Sequence, residues 1–80
     1  MNIEFQPIEL FHEHDAVGRL VLIDGKLAGV LALLSEAHGD SAGKWFLECG
    51  FGALGRCDTE FEDLEAACCW FEQAIAPNKG

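Results

Sequence analysis

Basic residues are scarce: five Lys and Arg stand against fourteen Asp and Glu in 80 residues, a formal charge of −9. Binding to nucleic acid or an anionic membrane requires clustered cations against phosphate, so direct contact with either is not expected. Long apolar runs are missing too. The longest, Val17 to Leu34, is interrupted at its centre by Asp24, Gly25 and Lys26, where a spanning helix tolerates charge least. Cys49, Cys57, Cys68 and Cys69 show no Cys-x-x-Cys pair, and the three histidines no His-x₃₋₅-His pair, so neither a structural metal nor a resident cofactor is expected. There are no internal repeats and no low-complexity linker, which leaves one domain over residues 1–80. Met1 to Leu10 carries Glu4 and Glu9 without a basic flank or an apolar run, so neither a signal nor a transit peptide is expected. A cytoplasmic location with four reduced thiols follows as an expectation.

Half the residues are hydrophobic and 24% are charged, a globular balance rather than a disordered one. A domain this small buries only about 60% of its unfolded surface, so each apolar element has to contribute to the core. Asp24-Gly25 separates two apolar runs and tolerates the positive φ angles of a type I′ turn, predicting a hairpin from Val17–Ile23 and Lys26–Leu34. A two-residue turn sets Ile23 opposite Lys26, Leu22 opposite Leu27 and Arg19 opposite Val30. One face then carries Leu20, Leu22, Leu27, Leu31 and Leu33 and is the expected core. The other carries Val17, Val21, Ile23, Ala28, Val30 and Ala32 with Arg19 and Lys26.

After a polar loop from Ser35 to Gly43, Lys44 to Ala53 reads as a strand with Trp45, Leu47, Cys49 and Phe51 on an uncharged face. Ile3 to Phe11 reads as a further strand, confined to an edge by Pro7. Thr59 and Glu62 form a capping-box pattern before a stripe of Phe61, Leu64, Cys68, Phe71 and Ile75, predicting a helix that stops at Pro77. Asp58, Glu60, Glu62, Asp63, Glu65 and Glu72 give it an acidic outer face. The expected fold is α+β: a short antiparallel meander of three strands, with an N-terminal fourth, and one C-terminal helix across it.

Four constellations suggest chemistry. Gly50-Phe51-Gly52-Ala53-Leu54-Gly55 has dinucleotide-loop spacing, but the chain lacks a following strand and crowds acids where phosphate would sit. His12, His14, His38 and Asp40 are metal-ligand types at loose spacing. His38, Asp40 and Ser41 have the composition of a nucleophilic triad but lie too close in one loop to align. Cys57 beside Arg56, near a helix start, is the best-placed reactive thiol, opposed by Asp58 and Glu60. No catalytic residue is assigned. Trp70 falls about 120° round the helix from Leu64, at the edge of the stripe, where it either caps the core or stands in an interface.

In its Asp-Gly hairpin, its Gly43-Lys44-Trp45-Phe46 run leading into a strand and its acidic, Trp-containing final helix, the chain resembles small uncharacterised bacterial proteins, including those carried on mobile gene cassettes. The resemblance covers residues 17 to 75, has no diagnostic motif and implies no shared activity or site residues.

The expected function is that of a non-catalytic interaction module. With one helix and a sheet apolar on both faces, a homodimer is expected through Arg19, Val21, Ile23, Ala28, Val30 and Phe46, with Trp70 a further interface candidate; the alternative is that the N-terminal segment folds over this face and leaves a monomer. Arg19, Lys26, Lys44 and Glu48 would form its polar rim. Two other functions are compatible with the composition: an acidic mimic that occupies a nucleic-acid-binding protein through the helix carboxylates, and a small-molecule site or enzyme at the Gly-rich turn 50–56.

Overall fold

The computed structural model describes residues 2–11, 13–14, 16–52 and 59–75. Five antiparallel strands, β1 (Ile3–Glu9), β2 (Val17–Ile23), β3 (Lys26–Leu33), β4 (Trp45–Gly50) and β5 (Glu60–Phe61), lie in the sheet in chain order, and helix α1 (Leu64–Ile75) packs on one face. The α+β meander is as expected, with a two-residue fifth strand added. Asp24 and Gly25 have φ of 52° and 80°, the left-handed pair that a type I′ hairpin requires. The turn is tied to β1, since the Asn2 amide donates to Asp24 Oδ1 at 2.8 Å and the Asp24 amide donates to Asn2 O at 2.8 Å. β1 takes the edge position that Pro7 allows.

The register departs from the expectation one step beyond the turn. Leu22 pairs with Leu27, but Val21 pairs with Gly29, so Ala28 is an extra residue in β3. A second extra residue, Glu48, lies in β4 between Leu47, paired with Leu31, and Cys49, paired with Val30. The first bulge turns the odd residues of β2 toward the helix: Val21 is fully buried with Leu31, Leu47, Trp45, Phe61, Ala67 and Phe71. Leu20 and Leu22 consequently belong to the opposite face, the reverse of the expected assignment for β2, while Leu31 and Leu33 of β3 remain on the core side as expected. Gly29 suits this position because a Cβ would stand 3.0 Å from Cys49 O and 3.2 Å from Leu47 Cδ1.

The helix also starts later than its capping-box pattern implies. Glu60 and Phe61 are drawn into β5 opposite Phe46 and Trp45, and Asp63 caps α1 by accepting from the Ala66 amide at 2.8 Å. Asp63→Ala is therefore expected to cost about 1 kcal/mol in urea unfolding, with Thr59→Ala costing less.

Candidate interaction surface

Helix α1 covers one face of the sheet; among the described residues, no helix lies across the other. On this outer face Leu20 and Leu22 of β2 and Val30 and Phe46 of the next two strands are half-buried, and Leu27 is 43% exposed. They are neighbours by register, with Leu20 beside Val30, Leu22 beside Leu27, and Phe46 beside Ala32. Leu10 closes one corner by lying over Gly18, where a Cβ would meet its Cγ at 2.8 Å. The N-terminal strand extends the sheet at its edge, and the segment after it reaches the far end of this face, where His14 lies near Phe46; Ala32 between them is fully buried, while Leu20, Leu22, Val30 and Phe46 keep part of their surface exposed.

Charge around this face is mainly negative. Glu4 pairs with Leu22, Glu48 is the bulge residue of β4, and Glu60 pairs with Phe46. Glu60 is held in place by the Ser41 hydroxyl, which donates to its carboxylate at 3.1 Å. The described cations are placed elsewhere or paired. Lys44 lies 3.4 Å from Glu62, and Arg19 sits on the helix side, 5.0 Å over the Trp45 ring, donating to Gly18 O at 2.8 Å. Arg19 keeps its charge at the margin while its stem lies along the aromatic ring. Lys26 pairs with Ile23, again on the helix side.

Beyond Phe46 the face ends in a pocket of about 330 Å³, lined by Leu34, Ala37 and Phe46 and by His14, His38, Glu48 and Glu60. Leu34 is 5% exposed, so apolar surface forms its base. Four of its polar lining groups come from four different parts of the chain, which is why no sequence motif announces it. The short 3-10 segment Glu36–Ser41 supplies one wall, capped by the Ser35 hydroxyl, which accepts from the Ala37 amide.

Of the seven residues expected at an interface, Val30 and Phe46 lie on the outer face. Val21 is a correction: it is core, because the Ala28 bulge rotates β2 by one residue. Arg19, Ile23 and Ala28 move with it, the last two packing against the buried cluster. Trp70 packs edge-on against Phe61 at 5.6 Å and Phe71 at 5.1 Å, so it caps the core. Leu20, Leu22 and Leu27 were missed as surface residues; the bulge that places them leaves no trace in apolar alternation.

The other candidates divide similarly. His14 and His38 are brought to one pocket, whereas His12, Arg56, Cys57, Asp58 and most of the Gly-rich turn lie outside the described residues. Among the described residues, no group of three His, Cys, Asp or Glu is placed to hold a metal ion. Cys49, Cys68 and Cys69 are free thiols, and burial, followed by the negative charge of Glu72, pushes the Cys68 thiol up and away from thiolate. The carboxylates assigned to one helix face are split, with Glu60 and Glu62 beside the sheet, Asp63 capping, and Glu65 and Glu72 exposed on α1. A continuous phosphate-like row on the helix is not formed by them. Among the described residues, no helix is long and apolar enough to cross a membrane. No protein-family model, no curated protein and no solved structure matches this chain.

Proposed function

We propose that the chain is a non-catalytic interaction module whose contact surface is the outer sheet face. One observation carries the reading: an apolar face of Leu20, Leu22, Leu27, Val30 and Phe46 lies opposite helix α1, in a domain too small to leave such area idle. Self-association through this face is part of the proposal, with a changed rim. Arg19 and Lys26 are on the other side, so a second copy brings Glu4, Glu48 and Glu60 toward the same carboxylates of its neighbour.

Such a dimer is weak at low ionic strength and strengthens as salt screens the charge, the Debye length falling from about 8 Å at physiological salt to about 3 Å at 1 M. Light scattering is expected to show a mass rising toward that of a dimer between low and high salt. Val30→Asp removes the rise by placing an unpaired carboxylate in the contact. A chain that stays at 8.7 kDa throughout, or a Val30→Asp variant that associates like the parent, rules out self-association through this face.

A further inference from the structure

The pocket at the Phe46 end differs from the rest of the outer face in combining an apolar base with carboxylates. Leu34, Ala37 and Phe46 offer surface for an aliphatic stem and for stacking, and Glu48 and Glu60 line the same space. Glu60 is already oriented by Ser41 and so loses little freedom on accepting a donor. Lys44, the described cation nearest in the strand ladder, is paired with Glu62, and Arg19 and Lys26 lie on the helix side. The described lysines and arginine are thus engaged away from Glu48 and Glu60, which share the pocket with His14 and His38.

We propose that this pocket receives an arginine side chain of a different, basic protein that docks on the outer sheet face. The proposal rests on that face being the contact surface and names its occupant. Arginine fits better than lysine because its planar guanidinium both stacks on an aromatic ring and forks to carboxylates, and it is more weakly hydrated. The same chain shows the stacking half of this arrangement on its other face, with the Arg19 guanidinium carbon 5.0 Å from the centre of the Trp45 ring. At low ionic strength, where the second copy is repelled because it repeats Glu48 and Glu60, a basic partner that complements them outcompetes self-association for the same face.

The test is an NMR titration of the full chain at one fixed pH and low salt. The probes are acetyl-Leu-Arg-Leu-amide, the same peptide with citrulline for arginine, and acetyl-arginine-amide. Citrulline keeps the shape and stacking of arginine and removes its charge. The arginine peptide is expected to shift the amide resonances of Phe46, Glu48 and Glu60 and to bind about tenfold more tightly than the citrulline peptide, as charge-assisted hydrogen bonds are worth. The double variant Glu48→Gln, Glu60→Gln is expected to erase that difference while keeping the spectrum of a folded chain.

Equal affinity for the arginine and citrulline peptides overturns the arginine pocket but leaves the outer face as a contact surface. Acetyl-arginine-amide binding as tightly as the peptide overturns docking of a partner chain in favour of a free guanidinium ligand. Absence of binding by every probe overturns the proposal, and salt-promoted association lost in Val30→Asp then shows separately whether the face itself is a contact.

Discussion

Phe71→Ala is expected to remove about 3–5 kcal/mol of stability, the usual cost of truncating a buried aromatic ring. Phe71 has no exposed surface, meets the Trp70 ring edge-on at 5.1 Å and lies 6.3 Å from Phe61. Its ring also packs over Gly29 of β3. It thus joins the helix to β3, β4 and β5, and its loss leaves a cavity where the layers meet. Against a total stability of about 5–15 kcal/mol for a typical domain, this is enough to leave much of the population unfolded. Urea unfolding checks it, read as a fall in midpoint at constant slope. Glu72→Gln, at the exposed neighbouring position, is the control and is expected to stay within about 0.5 kcal/mol. A loss below about 1.5 kcal/mol for Phe71→Ala would mean that α1 packs by another stripe.

What was legible in the sequence was whatever local chemistry decides. Asp24-Gly25 specifies its turn through backbone angles that few other dipeptides adopt, and the structure has those angles. Leu31, Trp45 and Leu47 were assigned to the core from uncharged alternation and are buried. Phe71 was placed on the buried stripe because helical spacing does not depend on distant partners. The errors arise where distant partners matter. Thr59 and Glu62 have a capping-box pattern, yet pairing of Glu60 with Phe46 and Phe61 with Trp45 takes that segment into the sheet, and Asp63 caps instead. Cys49 and Phe51 were aligned with Leu47, but the Glu48 bulge turns Cys49 to the face of Val30, and Phe51 is 48% exposed. The candidate site was legible in fragments: Val30, Phe46, His14 and His38 were each singled out, while Glu48 and Glu60 join them through strand pairing.

The β2 assignment failed for a different reason, and it yields the most discriminating expectation. Leu20 and Leu22 on one face and Val21 and Ile23 on the other are both apolar sets, so alternation cannot choose between them; Arg19 tipped the choice because a charge was assigned to the solvent side. That inference overlooked stacking on Trp45, which lets an arginine sit half-buried beside the core. The two registers make opposite predictions. With Ala28 bulged, Val21→Asp places a carboxylate among Leu31, Leu47 and Phe71, where Arg19, two residues along the same face, is already engaged by Trp45 and Gly18 O, and is expected to cost several kcal/mol and unfold the domain. Leu20→Asp alters a half-buried position between Gln6 and Val30 on the outer face, and is expected to cost about 1 kcal/mol and leave the chain folded. Without the bulge, Leu20 would turn to the helix and the two outcomes would exchange. Circular dichroism with urea titration of the two variants is therefore a direct reading of whether one residue, Ala28, sets which face of β2 is core and which is left to meet a partner.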